Sequence, residues 1–171
     1  MTLYAITIFL SAFLLFQVQP LIAKMILPWF GGSAAVWSAS LLFFQLLLLA
    51  GYAYAHVSIR FLKPRVQMLV HVGLLLGSCA LLPILPNPIW RPTQAGDPTA
   101  RILLLLTATI GLPYFLLSST SPLLQAWFAR TTQRGRADAY RLFAISNIGS
   151  MVALLAYPWL IEPELTSRNS L

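Results

Sequence analysis

Long apolar segments with almost no charge dominate the sequence, and they restrict the chain to a fold that crosses a membrane. Hydrophobic residues make up 58% and charged residues 9% of the 171 positions, whereas soluble globular proteins average about 45–50% and about 25%. This number of charged residues is too small to cover the surface of a soluble domain of this size. Five segments reach the roughly 20 apolar residues that span a bilayer: 3–27, 34–57, 66–85, 101–128 and 139–161.

These segments predict an all-α, multi-pass integral membrane protein with five transmembrane helices in a single helical domain over residues 1–171. Residues that favour turns separate the segments, in particular Gly31, Gly32 and the prolines between 83 and 98. The polar tail at 162–171 also fits the N-terminal fragment of a longer chain.

The charges predict an orientation. The loops after the second and fourth segments contain seven basic residues and one acidic residue: Arg60, Lys63, Arg65, Arg130, Arg134, Arg136, Arg141 and Asp138. The opposite side contains four basic and three acidic residues: Lys24, Arg91, Arg101, Arg168, Asp97, Glu162 and Glu164. Because cytoplasmic loops carry the excess of Lys and Arg, we expect a cytoplasmic N-terminus in a bacterial inner membrane. The basic excess then follows from topology and indicates contact with anionic lipid, not nucleic acid.

Gln17 and Lys24 are polar residues within the first apolar segment. They are seven positions apart and therefore lie on one face of a helix. One interpretation is a polar stripe that binds a carboxylate, a phosphate or a lipid headgroup. The alternative is that Lys24 lies near the outer end of the helix and extends its ammonium group to the interface.

The fourth segment combines prolines with a cluster of hydroxyl side chains. Pro113 and Pro122 each lack an N–H, and Pro122 crowds the carbonyl of Ser118. Broken helices of this kind form substrate sites in many transporters, which makes Ser118 and Ser119 candidate site residues. The alternative is a kinked helix whose hydroxyl groups bond to its own backbone.

Two further groups of small or polar residues indicate contacts between helices. Asn147 lies in the fifth segment and is a candidate for the polar site, while Ser146 and Ser150 are four positions apart on one helix face. Gly73 and Gly77 form a GxxxG pattern, which allows a second helix to approach closely. The partner helix is either part of this chain or part of another one.

The sequence contains no constellation typical of catalysis. It has no pairing of a nucleophile with a base, no glycine-rich phosphate loop and no set of metal ligands. All four carboxylates lie outside the apolar segments, and Cys79 is the only cysteine. We therefore expect no enzymatic activity, no catalytic residue, no cofactor and no bound metal.

Several motifs, in order along nearly the whole chain, resemble the membrane half of spermidine-synthase-like, major-facilitator-like multi-pass membrane proteins. They are residues 8–13, Gln17, Pro20, Lys24, and residues 30–37, 122–128, 140–150, 156–158 and 162–163. Many members of that family also have a soluble aminopropyltransferase-like domain, which binds an aminopropyl donor and a polyamine. Nothing within these 171 residues resembles that domain, so the resemblance implies the membrane fold without the enzymatic activity.

Two functions remain open. The first is a non-catalytic accessory subunit that packs against other subunits of a larger membrane complex, with Gly73 and Gly77 facing the partner. The second is a transporter-like module for a small solute such as a polyamine, with Gln17, Lys24, Ser118, Ser119 and Asn147 lining its path. Transporter repeats normally occur in pairs, and five helices are few for an independent carrier, which favours the accessory subunit.

Overall fold

The computed structural model describes residues 1–80, 82, 88–91, 98–131, 135–161 and 163. At residues 135–139, 160 and 161 it describes the backbone only. Within these residues the regular structure is helical and contains no strand. Six α-helices follow one another: α1 (Thr2–Phe30), α2 (Ala34–Phe61), α3 (Pro64–Cys79), α4 (Thr99–Leu106), α5 (Leu112–Thr131) and α6 (Gly135–Ala156). Two π-helical segments, Thr107–Gly111 and Tyr157–Ile161, follow α4 and α6 directly.

The all-α prediction is confirmed, and four described helical stretches are long and apolar enough to cross a membrane. They are Thr2–Phe30, Ala34–Phe61, Thr99–Thr131 and Tyr140–Trp159. The span predicted at 66–85 corresponds to α3, which has 16 residues and is shorter than a typical span. Four of the residues predicted to complete it, 81 and 83–85, lie outside the described part of the chain.

Several polar side chains are buried in the helical packing, while many large apolar side chains lie on its surface. The buried polar residues include Gln17, Gln67, His71 and Ser119. Leu, Ile, Val and Phe side chains are exposed along α1, α2, α3 and α6. In water, leaving such a side chain exposed costs about 1.5–3 kcal/mol relative to burying it. In the hydrocarbon core of a membrane, exposure does not carry this cost. This distribution agrees with an integral membrane protein.

The chain divides into two compact units. The terminal unit comprises Met1–Pro20 and Thr120–Leu171, and the central unit comprises Leu21–Ser119. In the terminal unit, Ile8, Phe128 and Leu142 form a buried apolar cluster. The ring of Tyr4 lies 5.2 Å from that of Phe128, measured between centroids.

In the central unit, α2 packs against α4 and its aromatic side chains reach the start of α5. The ring of Phe44 lies 5.0 Å from that of the fully buried Tyr114. Tyr54, further along α2, lies 5.3 Å from Phe115 and 6.1 Å from His71 of α3. These ring contacts fix the positions of α2, α3 and α5 within this unit.

Candidate polar intramembrane site

Gln17 is a buried polar residue of the terminal unit. Its side chain is 4% exposed, and its Nε2 donates a hydrogen bond of 2.6 Å to the carbonyl oxygen of Ala153 in α6. The bond joins α1 to α6 within the terminal unit. The backbone donor that Pro158 lacks would have bonded the carbonyl of Leu154, four positions before it, so the Gln17 bond does not replace that donor.

The other polar atom of the Gln17 amide, Oε1, is buried and accepts no hydrogen bond from any described residue. The amide orientation follows from its partner, because the reverse orientation would place Oε1 against the Ala153 carbonyl oxygen. A buried acceptor without a donor costs about 1–3 kcal/mol. The position therefore leaves one hydrogen-bond acceptor buried within the terminal unit. Further along the same two helical stretches, the hydroxyl of Tyr157 donates to the carbonyl of Pro20 at 3.3 Å.

Lys24 is partly buried and belongs to the central unit, whereas Gln17 belongs to the terminal unit. Both lie on α1, which is continuous from Thr2 to Phe30. An anionic ligand of the predicted polar stripe would be held by Lys24, because the unpartnered polar atom of Gln17 is an acceptor.

The helix expected to break around the Ser/Thr cluster is continuous there. Pro122 lies inside α5, and the irregular turn is the π-helical segment Thr107–Gly111, just before Pro113. In that segment the hydroxyls of Thr107 and Thr109 donate to the carbonyls of Leu103 and Leu105. The lengthened turn fits a position where Pro113 removes a backbone donor.

Ser118 and Ser119 hydrogen-bond to their own helix, as the kinked-helix alternative requires. The hydroxyl of Ser118 donates to the carbonyl of Phe115 at 2.7 Å, and that of Ser119 donates to Leu116 at 3.0 Å. Ser118 also fills the space beside Gly51 of α2, where a Cβ would overlap the Ser118 Oγ and lie 2.9 Å from its Cβ. Both serines are buried, and this geometry favours a packing role in the central unit.

Asn147, Ser146 and Ser150 lie on α6 in the terminal unit. The Asn147 side chain is exposed, and its backbone carbonyl accepts a hydrogen bond of 2.8 Å from the Ser150 hydroxyl. The Ser146 Oγ lies 3.3 Å from the Ser121 Oγ of α5, which accepts a further hydrogen bond of 3.1 Å from the Gln125 Nε2. Ser146 thus joins α6 to α5, while Ser150 bonds within its own helix.

The helix contacts that depend on glycine differ from the predicted GxxxG pair. Around Gly73 and Gly77 of α3, no heavy atom of the described residues lies within 4 Å of the position that a Cβ would take. At Gly149 of α6, a Cβ would lie 2.8 Å from the carbonyl oxygen of Phe9 in α1. Among the glycines that the structure describes, Gly51 and Gly149 are the two at close helix contacts.

A sequence signal for those two glycines exists. Each is followed four positions later by a buried alanine, Ala55 after Gly51 and Ala153 after Gly149. A small residue repeated at this spacing lets two helix backbones meet. The same Gly-xxx-Ala spacing also occurs at Gly31 and Ala35, Gly96 and Ala100, and Gly135 and Ala139. The pattern therefore includes both contacts but does not single them out.

A second buried polar atom without a described partner is the hydroxyl oxygen of Tyr54 in the central unit. Among the described residues, no group of three His, Cys, Asp or Glu side chains is placed to hold a metal ion. No protein-family model, curated protein or solved structure matches the chain. The resemblance to spermidine-synthase-like membrane proteins therefore stays a prediction.

Proposed function

We propose that this chain is a non-catalytic integral membrane subunit that packs against a larger membrane complex through one face of α3. The observation that carries the proposal is the open surface at Gly73 and Gly77. In the same chain, Gly51 and Gly149 are each covered by a neighbouring helix.

The two faces of α3 differ, because one is buried within this chain and the other is exposed and available to a partner helix. Gln67, His71 and Ser78 form its buried stripe. Leu69 and Leu76 are each 68% exposed on the rest of the helix, which also carries the two open glycines. Without a hydrophobic driving force in lipid, helices associate where small residues let them approach closely. A flat, small-residue face bordered by leucines suits a partner helix.

Site-specific crosslinking tests this proposal. We would place a photo-crosslinking amino acid at Leu76, beside the glycines, and as a control at Leu49 of α2, which is 65% exposed. In the native membrane, the Leu76 derivative should give one protein adduct of discrete mass, and the Leu49 derivative should give lipid adducts. Lipid adducts at both positions would contradict the proposal.

The second candidate is a transporter-like module for a small solute such as a polyamine. It is favoured by the buried Gln17 Oε1, which lacks a described donor, because the ammonium groups of a polyamine donate hydrogen bonds. Replacing Gln17 by Leu should abolish polyamine uptake under this hypothesis, as should Asn147→Leu. Ser150→Ala serves as the control, because its hydroxyl bonds within α6. Unchanged uptake in both variants would exclude the module.

The proposed setting is a bacterial cytoplasmic membrane with the N-terminus inside. The excess of basic residues in the α2–α3 loop and the α5–α6 connector supports it. In a Cys79→Ser background, a cysteine at Lys63 should react with a membrane-impermeant maleimide only after the cells are opened. A cysteine at Ser33 should react in intact cells, and the opposite pattern would reverse the orientation.

A further inference from the structure

Three basic residues lie within six positions at the turn between α2 and α3. Arg60 is in the last turn of α2, Lys63 precedes α3, and Arg65 is in its first turn. All three side chains are exposed. Beside them, Phe61 is 70% exposed, and the guanidinium carbon of Arg60 lies 5.4 Å from the centroid of its ring.

Along the sequence, no acidic residue lies close to these charges. The first one is Asp97, 32 positions after Arg65. The turn therefore presents three positive charges and an exposed aromatic ring at the end of two apolar helices. An anionic surface with an apolar layer beneath it is complementary to both features.

The turn is held in a fixed conformation by Gln67. Its side chain is 1% exposed, and its Nε2 donates to two carbonyl oxygens near the end of α2, that of Ser58 at 2.9 Å and that of Leu62 at 2.7 Å. The Leu62 amide also donates to Ser58, and the Gln67 amide donates to Lys63, each at 3.0 Å. These bonds fix the backbone on both sides of Lys63, so binding has to order the three side chains but not the backbone that carries them.

We propose that this basic turn binds the phosphate headgroups of anionic phospholipids, with Gln67 as a positioning residue that touches no lipid. Phe61 enters the boundary between headgroups and acyl chains, while the cations contact the phosphates. The inference does not depend on whether the chain is a subunit or a transporter. A single juxtamembrane basic residue near an anionic surface changes the binding constant about fivefold.

The test uses the full chain in nanodiscs with equal amounts of phosphatidylglycerol and phosphatidylcholine, followed by native mass analysis of the retained lipids. The wild type should retain phosphatidylglycerol preferentially. Lys63→Gln should reduce that preference about fivefold. Arg91→Gln removes an exposed charge from the loop predicted to lie on the opposite side, and it should leave the preference unchanged. Equal losses in the two variants, or no preference in the wild type, would overturn the proposal.

Gln67→Leu tests the positioning role, because it keeps all three cations and removes the hydrogen bonds to the carbonyls of Ser58 and Leu62. It should lower the preference for phosphatidylglycerol while the far-ultraviolet circular dichroism stays that of the wild type. A folded Gln67→Leu protein with the full wild-type preference would refute the positioning role. If Gln67→Leu fails to fold, Lys63→Gln still tests the lipid site. Lys63 is exposed, so its replacement should not disturb folding.

Discussion

Gly51→Ala is the substitution that tests the packing of the central unit most sharply. The new Cβ would overlap the Ser118 Oγ and would lie 2.9 Å from the Ser118 Cβ and 3.1 Å from the Phe115 carbonyl oxygen. The last of these is a backbone atom, so rotation of a side chain does not relieve the conflict. The helices must separate, and overpacking of this kind costs about 1–3 kcal/mol.

Helix propensity acts in the opposite direction, so the control is a glycine-to-alanine change at an open helix position. Alanine is better than glycine in a helix interior by about 0.8–1 kcal/mol, so Gly51→Ala should lower the free energy of unfolding by up to about 2 kcal/mol. Gly73→Ala makes the same chemical change where no described atom lies within 4 Å. It should leave stability unchanged or raise it by up to about 1 kcal/mol.

Unfolding by sodium dodecyl sulfate in mixed micelles, followed by circular dichroism, measures both values. Ser118→Gly should partly rescue Gly51→Ala, because it removes the two side-chain atoms nearest the new Cβ. The double variant should then be more stable than the sum of the single effects predicts, by about 0.5–3 kcal/mol. Equal stabilisation by Gly51→Ala and Gly73→Ala would refute the close contact between α2 and α5.

Three further predictions use the same unfolding assay. Gly149→Ala should destabilise the terminal unit, because its Cβ would lie 2.8 Å from a backbone oxygen of α1. The expected cost is about 1–3 kcal/mol, less the gain in helix propensity. A net increase in the free energy of unfolding would contradict this. Gln17→Leu should change the free energy of unfolding by no more than about 1 kcal/mol, because the lost hydrogen bond to Ala153 is offset by removal of the buried, unpartnered Oε1. A loss above about 3 kcal/mol would show that Oε1 has a donor. Gln67→Ala should cost about 1–3 kcal/mol, because two carbonyls lose their donor, and an unchanged midpoint would contradict that.

The apolar spans were predictable because the requirement for about 20 residues per crossing leaves few alternatives. The predicted segment 34–57 corresponds to α2, Ala34–Phe61, with its start correct and its end four residues further on. The third segment was less predictable. Its apolar residues continue into a proline-rich stretch, so hydropathy alone does not show where α3 ends.

The helix contacts were less predictable than the helices, because the same small-residue pattern occurs in places that pack and in places that do not. The GxxxG pattern at Gly73 and Gly77 is open, while Gly51 and Gly149 are covered. Which glycine meets a neighbour depends on how the helices are arranged, and a single sequence does not contain that information.

The polar site was predictable in residue type but not in geometry. Gln17 is buried and bonds Ala153, which is 136 positions away, and no local pattern connects the two residues. Ser118 and Ser119 bond within their own helix, which was one of the two alternatives. The position of the π-helical turn before Pro113 was missed, because the Ser/Thr cluster around Pro122 was the more prominent signal.

Native mass analysis of the chain after mild detergent extraction from its own membrane tests the proposed role most directly. An accessory subunit predicts an assembly of fixed stoichiometry that contains a second, larger membrane protein. The pair of substitutions Gly73→Ile and Gly77→Ile should release the chain from it, and Gly73→Ala with Gly77→Ala should not. A single chain or a small homo-oligomer that is unaffected by either pair would contradict the account.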